Sequence, residues 1–200
     1  MSFWDSRYGE EGFAYGKSPN DFLLAQASQI TPSASVLCLA EGEGRNAVFL
    51  AEQGHAVTGV DSCEVGLSKA LALALERAVD SRFTTVTCDL AEYDLGVNKW
   101  DCVVSIFAHL PQPLRTKVHA AVVASLKSSG VLILEAYTPK QLEFKTGGPQ
   151  TVDMAMTLDD LKVEFAGLDF VVAEEKVREV HEGRYHNGTS AVVQIIGRKP

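Results

Sequence analysis

The chain has 200 residues, 46% hydrophobic and 22% charged, with a formal net charge of −8, a composition that suits one globular domain with a sizeable core. The acidic balance carries no Lys/Arg stripe of the kind that displaces phosphate counterions, which argues against a nucleic-acid partner. No apolar run approaches a bilayer span, and the opening Met1-Ser2-Phe3-Trp4-Asp5 lacks a basic-then-apolar leader layout, so a cytoplasmic protein without a membrane partner is expected.

Ser18-Pro19-Asn20-Asp21 reads as a helix start, with Ser18 as cap, Pro19 at the first helical position and Asp21 adding favourable charge. That helix is expected to end near Ser28, before Thr31-Pro32-Ser33. A first strand is expected over Ser35 to Leu39, a helix over Arg45 to Gln53 ended by Gly54, and a second strand over His55 to Val60. Ser62 can cap the next helix, running to about Val79. Its Leu71-Ala-Leu73-Ala-Leu75 run alternates like a strand, but Leu67, Leu71 and Leu75 recur every four residues and Ala and Leu favour helix. Further strands are expected over Phe83 to Thr87, Asp101 to Phe107 and Val131 to Tyr137, with a helix over Leu114 to Leu126.

Alternating strands and helices imply crossover connections and a mainly parallel sheet covered on both faces. The C-terminal part changes character. Thr157-Leu-Asp-Asp160 opens a short helix with Thr157 as cap and Asp160 in the reciprocal position. Phe170 to Tyr185 and Thr189 to Arg198 flank Asn187-Gly188, a dipeptide suited to a type I′ hairpin turn. The expectation is an α/β fold: a three-layer, Rossmann-like, mostly parallel seven-stranded sheet with an antiparallel C-terminal hairpin at its edge. One domain would span 1–200, with an N-terminal cap segment (1–30), a cofactor-binding core (31–137), and a cover loop, short helix and hairpin (138–200).

The most informative stretch runs from Val36 through Gly42-Glu43-Gly44-Arg45-Asn46-Ala47 to Gly59-Val60-Asp61. An apolar run, a glycine turn, a helical segment and a second apolar run ending in a carboxylate make a unit that holds an adenosine-like ligand, with Asp61 placed for ribose hydroxyls. NAD, FAD and S-adenosylmethionine all fit that geometry. Charge discriminates among them. A pyrophosphate wants free backbone N–H groups without anions beside them, and Glu41 and Glu43 flank the glycines. S-adenosylmethionine is net cationic and phosphate-free, so an acidic turn favours it, although loop acids are also commonly just solvated. Asp89, after the third strand, sits at the same edge, where its carboxylate suits an adenine amine and Leu90 N–H its ring. A cap over Leu90-Ala91-Glu92 is the other reading of Asp89.

The blocks Leu39-Ala-Glu-Gly-Glu-Gly-Arg-Asn-Ala47, Gly59-Val-Asp61, Cys88-Asp-Leu90 and Trp100-Asp-Cys-Val-Val-Ser105 together resemble class I S-adenosylmethionine-dependent methyltransferases. With Trp4-Asp-Ser-Arg-Tyr8, Phe13-Ala-Tyr-Gly16, Glu135-Ala-Tyr-Thr-Pro-Lys-Gln141 and Gly147-Gly-Pro149, the order is similar to the small bacterial tellurite-resistance and thiopurine-type members. The resemblance implies the cofactor's methionine end at Glu41 to Asn46 with Tyr15-Gly16 closing over it, its ribose at Asp61 beside Ser62, and adenine at Asp89-Leu90. Many members carry an acid at the position of Cys38 and glycine at that of Ala40; here the acid stands at Glu41.

Methyl transfer from a sulfonium needs alignment and exclusion of water more than acid–base help. No metal is required, and Cys38, Cys63, Cys88 and Cys102 form no Cys-x-x-Cys pair. His109 and Tyr137 are the catalytic candidates, Phe107 a wall near adenine or the methyl, and the loop Thr138 to Met156 a cover. His55, His119, His181 and His186 read as structural or solvated, and Trp4, Tyr8 and Phe13 as a hydrophobic clamp that either packs the N-terminal segment or touches the acceptor. The expected activity is methyl transfer to a small-molecule acceptor. A nucleotide-dependent oxidoreductase and a non-catalytic cofactor-binding module are the alternatives. Acceptor identity and oligomeric state lie beyond the sequence.

Overall fold

The structure, a computed structural model, describes residues 2–200. A seven-stranded sheet carries the order β3-β2-β1-β4-β5-β7-β6, where β1 is Ser35–Leu39, β2 Ala56–Asp61, β3 Phe83–Thr87, β4 Trp100–Ile106, β5 Leu126–Tyr137, β6 Asp169–Glu182 and β7 His186–Arg198. The first five strands pair in parallel, and β7 runs antiparallel between β5 and β6. The order reverses between β1 and β4, so the carboxyl ends of these two strands diverge and open a crevice.

Alternation along each strand feeds two cores. Val36, Cys38, Cys102 and Val104 face one layer, formed with α2 (Asp21–Gln26), α3 (Arg45–Glu52) and α4 (Glu64–Glu76). Leu37, Leu39, Val103 and Leu132 face the other, covered by α5 (Gln112–Ser125) and α6 (Leu158–Glu164). Strands buried on both sides read as continuous apolar runs for this reason. A short helix, α1 (Phe3–Tyr8), lies over α4 and is closed by a reciprocal Ser2–Asp5 capping box.

Four local expectations need correction. First, α2 is capped by Asn20, not Ser18: Asn20 Oδ1 accepts from Leu23 N–H at 3.0 Å, while its amide donates to Glu135 at 2.6 Å and Glu182 at 2.8 Å. Two buried carboxylates need that amide, which fixes the helix start. Second, the residue before α4 is Cys63, without a side-chain cap; Ser62 is exposed at the cleft rim. Third, α4 buries Gly66, Leu67, Ala70, Leu73 and Ala74, whereas Leu71 and Leu75 are 39% and 64% exposed. The inward face follows the 3.6-residue turn rather than strict four-residue spacing. Thr157 does cap α6, accepting from Asp160 N–H at 3.2 Å.

The fourth correction moves the hairpin tip. The turn is Gly183-Arg184-Tyr185, and Asn187 and Gly188 are ladder residues opposite His181 and Val180. The N-terminal segment explains the shift. Arg184 N–H donates to Ala14 O at 2.9 Å, and a Cβ at Gly183 (φ +64°) would lie 2.6 Å from Tyr15 Cα. Only glycine allows that crossing.

Candidate active site

The crevice at the carboxyl ends of β1, β2 and β4 holds a cleft of about 940 Å³. Its floor begins where β1 ends. Ala40 and Phe107 leave β1 and β4 at positive φ (+49° and +53°), a costly conformation for residues with a Cβ and one that concentrates at ligand sites. Ala40 thus occupies a left-handed position that glycine would take without strain.

Glu41 and Glu43 are both buried, so neither is a solvated loop acid. Glu41 accepts from Ala47 N–H at 2.8 Å, capping α3, and burial pushes its carboxyl up to about 7. Glu43 accepts from Ala14 N–H at 2.7 Å and pairs with Lys69 at 3.0 Å. The turn is therefore less anionic than its two glutamates imply: one is at the edge of protonation and one is neutralised while it pins the N-terminal segment. Asp61 accepts from Gly42 N–H and Cys63 N–H, each at 2.8 Å, through opposite oxygens, and each oxygen keeps a lone pair for a ligand.

Gly42 and Gly44 shape the turn without lining the cleft. At Gly42 (φ +60°) a Cβ would lie 2.6 Å from Tyr8 Oη, and at Gly44 (φ +89°) one would lie 2.7 Å from Ala70 Cα. The first glycine admits the Tyr8 ring from α1 and the second the backbone of α4. Asp89 is exposed at the rim and accepts from Ala91 N–H at 2.8 Å, with Leu90 beside it on the wall.

Arg45 decides whether an amino-acid-like ligand fits. Its Nη2 pairs with Glu182 at 2.7 Å, while its Nη1 is buried with no hydrogen-bond partner among the described residues. A lone guanidinium nitrogen on the cleft wall is the donor that a ligand carboxylate would satisfy. Neighbouring Asn46 accepts from Asn20 N–H at 2.9 Å, tying α3 to α2.

Residues 36–130 match the family described as methyltransferase domain. That segment is a methyltransferase domain, and the fold that carries it is the Rossmann-like fold of class I S-adenosylmethionine-dependent methyltransferases. Solved structures agree on the fold. TehB from Haemophilus influenzae superposes with a TM-score of 0.74 at 18% identity, over 99% of this chain and 66% of its own. A protein of echinomycin biosynthesis, described by its conversion of a disulfide bond into a thioacetal group, gives 0.76 at 18% identity over 96% and 86%. An S-adenosylmethionine-dependent methyltransferase from Methanosarcina mazei gives 0.71 at 15% identity over 88% and 96%. No curated protein matches the sequence. The family match sets the oxidoreductase alternative aside, and S-adenosylmethionine is the methyltransferase's cofactor.

Tyr15, Gly16, Glu41, Arg45, Asn46, Asp61, Ser62, Asp89, Leu90, Phe107 and His109 all line the one cleft of the methyltransferase. Its far end is an aromatic chamber. Phe107 stacks on Tyr137 (4.4 Å between ring centres, 20°), and His186 meets both edge-on.

The two catalytic candidates do not serve as expected. His109 has both ring nitrogens engaged: Nδ1 lies 2.9 Å from Met154 O, and Nε2 accepts from Tyr137 N–H at 3.4 Å. Enclosure also pushes its pKa down to about 4. It fastens β5 to the cover segment and has no nitrogen free for a proton. Tyr137 is fully buried behind Phe107, its hydroxyl without a hydrogen-bond partner among the described residues and held protonated by burial.

The sequence reading gave Arg7 no role and His186 only a structural or solvated one, yet both stand on the cleft walls. Arg7 donates to Tyr15 Oη at 3.1 Å and lies 3.6 Å over the Tyr185 ring. The Phe13-Ala-Tyr-Gly16 motif was the available signal that this segment returns to the site. His119 is structural as expected, bonded at 2.6 Å to Glu164, which Arg115 also holds. Among the described residues no group of His, Cys, Asp and Glu has metal-site geometry, and no helix is long and apolar enough to cross a membrane.

Proposed function

We infer that the methyltransferase transfers its methyl group to a small-molecule acceptor by in-line displacement inside the cleft. The observation carrying this reading is a single cavity of about 940 Å³ that joins the acids at the ends of the strands to the aromatic chamber. That volume lies in the range of sites for small ligands.

S-adenosylmethionine supplies an electrophilic methyl on a cationic sulfur. The chain's residues bind and orient. Arg45 Nη1 takes the ligand carboxylate, Asp61 with Ser62 beside it takes the ribose hydroxyls, and Asp89 with Leu90 takes adenine. The Gly42–Gly44 turn and Asn46 set the position of the methionine end, and Tyr15-Gly16 cover it. Glu41 is uncharged or charged according to the ligand above it. Phe107 places an apolar face beside the transferring carbon and excludes water. A single domain with its cover over 138–200, a cytoplasmic setting and no nucleic-acid partner complete the reading, consistent with the net charge of −8.

Calorimetric titration with S-adenosylmethionine and NAD tests it, followed by detection of S-adenosylhomocysteine over a panel of thiols, amines, hydroxyls and chalcogen oxyanions. Binding of the methyl donor alone, with transfer to at least one panel member, is expected. Tight NAD binding without affinity for the methyl donor overturns the reading.

A further inference from the structure

His186 and Glu182 close the last rung of the β6–β7 hairpin, facing each other across the Gly183-Arg184-Tyr185 turn. Both are buried, and His186 Nδ1 lies 3.4 Å from Glu182 Oε2. Glu182 cannot swing away. Its Oε2 also receives Arg45 Nη2 at 2.7 Å and its Oε1 receives Asn20 Nδ2 at 2.8 Å. Although burial opposes it, the His186 hydrogen bond and Arg45 hold the Glu182 carboxyl down at about 2. A permanently ionised acceptor at Nδ1 puts the proton of a neutral imidazole on Nδ1 and leaves the lone pair on Nε2.

That second nitrogen is free. His186 lines the cleft, and Nε2 has no protein hydrogen-bond partner among the described residues. His109, the other cleft imidazole, has both nitrogens occupied. The ring of His186 is wedged among Tyr15 (4.5 Å), Phe107 (4.9 Å) and Tyr137 (5.2 Å), so its aim is fixed by packing as well as by Glu182. The charged and titratable groups facing it are Glu182 on β6, Arg45 on α3, Arg7 on α1, Tyr15 before α2, Tyr137 on β5 and His109 after β4. Burial, Arg45 and Arg7 draw its pKa below the ordinary value against the pull of Glu182, which keeps the ring neutral at pH 7.

The geometry points to His186 as the general base of the transfer, with Glu182 as its positioning residue, for an acceptor whose nucleophilic atom still carries a proton. This rests on the transfer reading above. His186 Nε2 accepts the acceptor's proton as the acceptor's lone pair forms the new bond to the methyl carbon. The carbon–sulfur bond breaks, and its electron pair stays on a now neutral sulfur. The imidazolium's charge is balanced by Glu182, and the proton then leaves to water.

On histidine, diethyl pyrocarbonate acylates only an accessible ring nitrogen with a free lone pair, so the full-length protein can be tested without any acceptor. Peptide mapping should show His186 modified and His109 untouched. Long-range proton–nitrogen NMR should show His186 as the Nδ1–H tautomer, and Glu182→Gln should shift it towards Nε2–H. An unmodified His186, or an Nε2–H tautomer in the wild type, overturns the assignment.

Transfer to benzyl mercaptan and thiophenol supplies the catalytic arm. At pH 8 the first is mostly protonated and the second mostly ionised. His186→Gln should slow transfer to benzyl mercaptan about 100-fold or more, the usual worth of a positioned base, and transfer to thiophenol only a few-fold. Equal losses on both overturn the role. Should neither thiol be a substrate, labelling and tautomer decide alone. Calorimetry with S-adenosylmethionine separates the two failures: no binding by wild type removes the transfer reading itself, whereas binding with a mis-set tautomer removes only the role of His186.

Discussion

Glu41 makes the buried turn a pH-dependent element, and its strength can be worked from the structure. Burial raises its carboxyl from 4.5 to about 7, against the opposing pull of Ala47 N–H and Arg45. The folded state therefore holds a proton that the unfolded state has released between those values. Stability is unaffected by Glu41 below pH 4.5, falls as pH rises through the window, and is lower by about 3 kcal/mol above pH 7 at ~1.4 kcal/mol per pH unit. Glu41→Gln keeps an oxygen for Ala47 N–H and cannot ionise. Urea unfolding should give wild type and variant similar stability at pH 4.5 and a variant more stable by up to about 3 kcal/mol at pH 8. A bound cationic donor has the opposite preference, because it favours the ionised carboxylate. Wild-type binding near pH 6.5 should thus release protons, seen as a dependence of calorimetric heat on buffer ionisation enthalpy, and Glu41→Gln should lose that part. Parallel stability curves for the two proteins from pH 4.5 to 8 would refute the reasoning.

Other perturbations are equally direct. Gly42→Ala meets both a left-handed backbone and the Tyr8 hydroxyl, 2.6 Å from the new carbon. It should cost about 2 kcal/mol, of which ~1–2 is the conformation alone, and limited proteolysis should then cut within residues 2–16. Leu67→Ala should cost about 2–5 kcal/mol and Leu75→Ala less than about 0.5, by chemical denaturation; comparable losses would contradict the inward face assigned to α4. Glu135 is fully buried and receives two bonds from Arg178, at 2.8 and 2.7 Å, and one from Gln194 at 2.6 Å. Glu135→Ala leaves those donors stranded and should lower the unfolding free energy by about 3–5 kcal/mol.

The parallel half of the sheet was legible because each strand is short, apolar and bounded by a turn signal. Asp61 and Asp89 could be placed because strand ends in such a sheet share one edge. What failed was long-range in origin. Ser18 and Pro19 make a good local helix start, yet Asn20 wins because Glu135 and Glu182 lie far along the chain and both need its amide. Asn187-Gly188 is a good local hairpin turn, yet the crossing of residues 14–16 selects Gly183 for the tip. The difference changes the roles as well as the register. A tip at Asn187 puts His186 in a solvated loop, whereas the observed tip seats it on the ladder opposite Glu182 and turns it into the cleft. Likewise the charges of Glu41 and Glu43 were readable, but not the burial of one or the Lys69 partner of the other.

One of the two edge strands, β6, is fourteen residues long and has one side of its backbone unpaired by any other strand among the described residues. Such a margin invites a second sheet to stack on, yet its middle reads Glu174-Glu175-Lys176-Val177-Arg178-Glu179, five formal charges in six positions. Any chain docking there would have to strip water from those ions, and an identical copy aligned in parallel would set like beside like. The strand beside the one that carries His186 thus has a charged margin of the kind that disfavours edge-to-edge stacking.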